Sequence, residues 1–204
     1  MIFLSEKFEH YYTESPTSEL KVRDVQLKLS NGHIYKFKSP SGVFGYGKTD
    51  RASKILIEKC RLHGKSILDL GCGYGMIGIT LKKEFPYLNL FMSDINQRAI
   101  EFSKINSKNN NLAPEIRHGY LYEPWLGMKF DNILCNPPIA AGKKVWMEII
   151  EKSPEFLEKD GVIQLVAFHN KGGSRILEYM KKHFNSVKTF EKSGGVRIYA
   201  GFGD

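Results

Sequence analysis

Residues 67–79 read ILDLGCGYGMIGI. An apolar run stops at Leu70, Gly71, Gly73 and Gly75 alternate through the next five positions, and apolar residues resume at Met76. Such a short apolar run closed by glycine predicts a buried strand over 66–70, the glycines a tight turn, and 76–85 a helix. Strand, glycine turn and helix in that order open a β-α-β unit. In open α/β sheets ligands sit at the carboxyl ends of the strands, and glycine lets them approach the backbone closely.

Working outward, the pattern repeats. Residues 88–93, 114–118, 130–135 and 161–168 read as strands, with helices over 97–108, 143–157 (interrupted by Pro154) and 174–184. Asp50 is expected to cap a helix running to about Leu62, with Ala52, Ile55, Leu56 and the stem of Lys59 on one face. Residues 187–191 and 196–202 read as closing strands around Ser193-Gly194-Gly195. Strands alternating with helices imply parallel units with right-handed crossovers. The expected fold is α/β: a doubly wound, Rossmann-like sheet, mostly parallel, with an antiparallel strand at its edge. Upstream, VRDVQLKL (22–29) and HIYKFK (33–38) each alternate apolar and polar residues around Ser30-Asn31-Gly32, which predicts a β-hairpin. The expected organisation is a hairpin extension over 1–49 and a main domain over 50–204.

Of 204 residues, 42% are hydrophobic and 25% charged, which excludes a disordered, collagen-like or low-complexity chain. The opening MIFLSEKFEHYY has four apolar residues before Ser5, and no run reaches the ~18 that a membrane span requires. The chain is expected to be cytoplasmic, neither secreted nor membrane-embedded. Cys60, Cys72 and Cys135 are too few and scattered for a disulfide framework or a zinc site, so no metal is expected. The net charge of +8 divides into +5 over residues 1–65, −1 over 66–168 and +4 over 169–204. A near-neutral middle flanked by basic segments suits a polyanion held around a central site, because Lys and Arg displace counterions from phosphates. A solvated surface kept soluble by charge accounts for the total equally well.

The glycine turn has two readings. Gly73, Gly75 and Gly78 satisfy the G-x-G-x-x-G spacing of dinucleotide sites, with Asp94 twenty-one residues after Gly73. In those sites, however, the first glycine leaves the strand directly. Here Gly71 holds that place, and Met76 stands where the third glycine belongs. Asp69 adds a carboxylate just before the turn. It would repel a diphosphate but suits a ligand carrying an ammonium or sulfonium charge, such as S-adenosylmethionine. Asp94, closing the second strand in SDIN (93–96), can accept both ribose hydroxyls of an adenosine, and can also cap the next helix. After the third strand, Gly119 and Tyr120 stand where the adenine edge should lie.

FDNILCNPPI (130–139) is a strand ending in Asn136-Pro137-Pro138. Two prolines stiffen the backbone and fix the directions of the Asn136 side chain and the Pro137 carbonyl. An exocyclic amine is a poor nucleophile because its lone pair is conjugated. Holding one hydrogen on the Asn136 oxygen and the other on the Pro137 carbonyl lets the nitrogen pyramidalise and aim its lone pair at a methyl sulfonium. Asn136, Pro137 and Pro138 are therefore the expected catalytic residues, with Asn136 bordering the cofactor as well.

The pair ILDLGCGYG and NPPI resembles class I S-adenosylmethionine-dependent methyltransferases that modify amino nitrogens. The order SPSGVFGYGKTD, LDLGCGYG, SDIN, NPPI-AAGK and SGGVRIY is similar to the small-domain methyltransferases. That group includes small-subunit ribosomal RNA guanine-N2 methyltransferases and their single-domain archaeal relatives. The resemblance covers nearly the whole chain. It implies that Asp69, Gly71, Gly73 and Gly75 hold the methionine part of the cofactor, Asp94 the ribose, and Asn136 to Pro138 the target amine. It also implies that the segment with Lys48, Asp50 and Arg51 lines the cofactor cleft. Many amino-methylating enzymes place Tyr or Phe after the second proline to stack on a flipped base; Ile139 stands there in this chain. Phe44 is then a candidate stacker, as are Phe168 and His169, with Lys143 and Lys171 as phosphate contacts beside the sheet edge. The expected activity is methylation of an exocyclic amine in RNA, first guanine N2 of ribosomal RNA or its assembled subunit. Alternatives are adenine N6 in RNA or DNA, a protein glutamine side chain, and a cofactor-binding module without catalysis.

Overall fold

The computed structural model describes residues 14–139 and 142–203. The reading of residues 1–12, and of 140–141 within NPPIAAGK, lies outside the described residues. Strands β1 (Val22–Lys28) and β2 (Ile34–Pro40) pair antiparallel as a separate two-stranded sheet. Their alternation puts Val25, Leu27 and Phe37 into the core and leaves the intervening residues exposed. A buried amide ties the hairpin to the rest of the chain: Asn106 accepts from the Lys38 N–H at 2.7 Å and donates to the carbonyls of Lys38 and Tyr74 at 2.9 and 2.8 Å.

The main sheet holds β3 (Ser66–Leu70), β4 (Asn89–Asp94), β5 (Glu115–His118), β6 (Phe130–Cys135), β7 (Leu157–Phe168), β8 (Val187–Ser193) and β9 (Val196–Phe202). They lie in the order β5-β4-β3-β6-β7-β9-β8. Strands β3 to β7 are mutually parallel, and β9 runs antiparallel to both β7 and β8, so a hairpin occupies that edge. Helices α1 (Arg51–Lys59), α2 (Met76–Glu84) and α3 (Gln97–Asn109) bury their apolar sides in one cluster. Helices α4 (Lys143–Lys152) and α5 (Gly173–His183) bury theirs in a second. Chain order reverses between β3 and β6, so the connections that follow these two strands diverge and leave a crevice at their carboxyl ends. The 71–75 turn and Asn136 meet there.

Two local expectations need correction. Helix α1 ends at Lys59, short of Leu62, because buried Gln164 on β7 captures both the N–H and the C=O of Arg61 at 2.9 Å. That capture pulls the chain out of the helix. Lys59 is exposed, and Ile57 packs in the core instead. Strand β7 begins at Leu157, ahead of the expected 161, paired to Phe130 through an irregular register. Pro154 does end α4, within one 3-10 turn over Ser153–Phe156.

Candidate active site

Strand alternation decides where Asp69 points. Ile67 and Asp69 share the β3 face that carries α2, while Leu68 and Leu70 face the other cluster. The Asp69 carboxylate is fully buried; its Oδ2 accepts the Gly78 N–H of α2 at 2.9 Å and its Oδ1 has no hydrogen-bond partner among the described residues. Burial pushes its pKa up to about 7; the Gly78 N–H opposes the rise and the Asp94 charge adds to it. Asp69, expected to hold the methionine part of the cofactor, lies fully buried beneath the turn and is not among the residues that line the cleft. Gly78 makes the close approach possible. A Cβ there would stand 2.8 Å from Leu90, 3.0 Å from the Met92 sulfur and 3.1 Å from Asp69 Oδ2. Gly78→Ala is expected to cost ~1–3 kcal/mol, seen as a lowered Tm; an unchanged Tm would show that α2 can back away freely.

Above Asp69 the chain turns tightly. The N–H groups of Gly71 and Cys72 both donate to the Ser93 carbonyl, at 2.9 and 3.0 Å. Gly75, with φ +90°, caps α2 in the left-handed region, a conformation costly to any residue with a Cβ. A Cβ on Gly71 would meet nothing within 4 Å, so the turn presents bare backbone to open space. Asp94 closes β4 opposite, its Oδ2 accepting the Gly73 N–H at 2.8 Å and its Oδ1 the Asn96 N–H at 2.9 Å. Burial raises its pKa against the pull of these N–H groups. The cap of α3 is Asn96, which accepts from Ala99 at 3.1 Å, so Asp94 is free of that duty.

Gly71, Gly73 and Asp94 line one cleft together with Asp50, Asn136, Pro137 and Pro138. Asn136 is held by its nitrogen: Nδ2 donates to Asp50 Oδ2 at 3.0 Å and to Ser53 Oγ at 2.9 Å. Its Oδ1 has no hydrogen bond among the described residues and remains an acceptor. The Pro137 carbonyl already accepts the Ile139 N–H at 2.8 Å, leaving one lone pair for a ligand. Phe44 lines the same cleft and is 42% exposed. Behind Gly71 a smaller recess is walled by Gly119, Ile95 and Leu121.

Tyr120, Ile139, Phe168, His169, Lys143 and Lys171 are not among the residues that line the cleft. Tyr120 turns toward α4, where its hydroxyl donates to Glu148 at 2.7 Å, so it does not flank the space behind Gly71; burial and that bond push its pKa up to about 12. Ile95 and Leu121, overlooked in the sequence, form that wall, and the only local signal was their adjacency to Asp94 and Tyr120. Ile139 packs toward Gly172, where a Cβ would come within 2.9 Å of it, instead of lining the cleft. Phe168 carries Lys171 over its ring at 5.6 Å, and His169 Nδ1 is paired to the Tyr199 hydroxyl at 2.8 Å. Neither residue lines the cleft. Lys143 lines a groove between α4 and α5, with Trp146 and Arg175.

The model of the methyltransferase small domain matches residues 34–200. The Bacillus subtilis protein YbxB is 36% identical over 199 residues, covering 93% of this chain and 96% of its own. A Buchnera aphidicola protein named ribosomal RNA small subunit methyltransferase C is 32% identical over 169 residues, covering 80% of this chain and 52% of its own. The chain spans about half the length of the relatives of that name. The T. thermophilus 16S rRNA N2 methyltransferase RsmC, solved with AdoMet and guanosine, superposes with a TM-score of 0.77 at 21% identity, covering 93% of this chain and 52% of that one. At that identity the likeness is one of fold.

Proposed function

The chain belongs to the methyltransferase small domain family, and from that premise we propose that it methylates an exocyclic amine of RNA, guanine N2 in small-subunit ribosomal RNA, using S-adenosylmethionine. The observation that carries the reading is the Asn136 amide, tethered through its nitrogen beside the glycine turn and Asp94 in one cleft.

The residues fit the cofactor. Bare backbone at Gly71 leaves room for its chain, Asp94 retains lone pairs for ribose hydroxyls, and Ile95 with Leu121 offers apolar walls for a flat base. Asp69, whose Oδ1 has no hydrogen-bond partner among the described residues, adds negative potential beneath the turn in its ionised form. When bound, the cofactor offers a methyl on a sulfonium sulfur: a C–N bond forms to the amine, the C–S bond breaks with its pair left on sulfur, and the surplus proton leaves to water. This chain's part is positional. The Asn136 oxygen and the free lone pair of the Pro137 carbonyl each accept one amine hydrogen. That grip draws the nitrogen out of conjugation and aims its lone pair. No acid or base within the protein is required.

Guanine in small-subunit ribosomal RNA is favoured by the names of the relatives and of the T. thermophilus structure. Phe44, exposed at the cleft, is the proposed stacking surface, and Lys143 and Lys171 the phosphate contacts at the same sheet edge. A ribosomal substrate puts the protein in the cytoplasm, and no helix among the described residues is long and apolar enough to cross a membrane. The test is to incubate the protein with methyl-labelled cofactor and cell extract. Label is expected in RNA and should vanish when the extract is first treated with ribonuclease. Label that persists in protein after that treatment would overturn the RNA reading.

A further inference from the structure

Beside the amide proposed to grip the substrate stands a carboxylate that no step above uses. Asp50 Oδ2 takes two hydrogen bonds: the Ser53 N–H at 2.7 Å, which caps α1, and the Asn136 Nδ2 at 3.0 Å. The same Asn136 nitrogen donates to the hydroxyl oxygen of Ser53 at 2.9 Å. Both amide hydrogens of Asn136 are thereby spent on an Asp-x-x-Ser pair at the start of α1, more than eighty residues away in the chain.

We propose that Asp50, assisted by Ser53, is a positioning residue that orients and polarises the Asn136 amide. The proposal rests on the reading of Asn136 as the acceptor for the target amine. Two consequences follow from the geometry. The first is orientation. Rotating the amide by half a turn would set its carbonyl oxygen against a carboxylate and remove both donors from acceptors, so only one orientation is populated and it presents Oδ1 outward. The second is polarisation. An amide that donates from its nitrogen to an anion accumulates negative charge on its oxygen, because hydrogen bonds in a chain strengthen one another and charge-assisted ones most. The amine gains positive charge as the C–N bond forms, so an oxygen enriched in this way holds it more tightly in the transition state than before it. Asp50 is itself fixed by the helix N-terminus, so this arrangement is built before any substrate arrives.

Three variants and a double-mutant cycle test this. Asp50→Ser keeps a helix cap but does not reach Asn136, and is expected to lower kcat on ribosomal RNA about 100-fold, with the cofactor Kd within about twofold. Asp50→Asn keeps an oxygen acceptor without the charge, and about a tenfold loss is expected. Ser53→Ala leaves the carboxylate in place and should cost less than either. In an Asn136→Ala background, Asp50→Ser should add almost nothing, because the partner it acts through is gone. A full second loss in that background, or a rise in cofactor Kd that matches the loss of kcat, would overturn the proposal. NMR of the free protein reads the same contact without any turnover. The Asn136 side-chain amide protons are expected to be downfield and slow to exchange in the native protein, and to lose both properties in Asp50→Ser. Protons unmoved by the substitution would overturn the proposal. Protons that behave as expected in a protein that methylates no RNA would support the contact and sink the functional reading alone.

Discussion

Asn136→Ala is expected to reduce methyl transfer about a thousandfold, the scale seen when one preorganised hydrogen-bonding group is removed from a transition state, while cofactor affinity stays within about twofold. The cause is specific. Alanine removes the acceptor proposed for one amine hydrogen, leaving the amine conjugated and its lone pair directed away from the methyl. It also leaves Asp50 and Ser53 without the amide they face. Single-turnover kinetics with calorimetric titration of the cofactor separates the two quantities. Equal loss in both would assign Asn136 to the wall of the cofactor site instead of the substrate grip.

The second large effect is on stability and its dependence on pH. Asp69 is fully buried, one of its oxygens has no hydrogen-bond partner among the described residues, and its pKa is raised to about 7. The folded chain therefore holds this proton more tightly than the unfolded chain, whose aspartate titrates near 4. Stability from this group is fully present below about pH 4 and is lost as pH rises to about 7, a total of about 4 kcal/mol by linkage. Asp69→Asn cannot titrate, so the difference in unfolding free energy between the two proteins should change by that order across pH 4 to 7 and stay level above it. Denaturant unfolding at each pH measures it. Parallel profiles would show that Asp69 ionises in the folded chain as it does in water. A cation bound above the turn opposes the effect of burial, so S-adenosylmethionine should bind more tightly as pH rises through about 7, and the neutral-sulfur product should respond less.

The architecture was legible because it rests on local patterns. The limits of β3, β6 and β9 follow from short apolar runs closed by glycine or asparagine, and the α2 boundary from the left-handed glycine before it. What local pattern does not carry is a partner brought from far away. The end of α1 depends on Gln164, more than one hundred residues on, and the direction of Tyr120 on Glu148 in α4. Asp69 is the instructive case. Its neighbourhood to the glycine turn was visible, and so was the alternation that sets it on the face of Ile67, under α2. Reading that alternation through to the side chain would have put the carboxylate below the turn. Likewise the Asn136 corner was evident as a stiff strand end, whereas its tether to Asp50 and Ser53 follows only from the packing of α1 across the crevice.

The most direct measurement is the chemical identity of the methylated product. The purified protein is incubated with methyl-labelled S-adenosylmethionine and small-subunit ribosomal RNA, free and assembled, and the RNA is digested to nucleosides for mass spectrometry. Label is expected in N2-methylguanosine and is expected to be lost with Asn136→Ala. Label in N6-methyladenosine or in a protein glutamine, or transfer that survives Asn136→Ala, would contradict it.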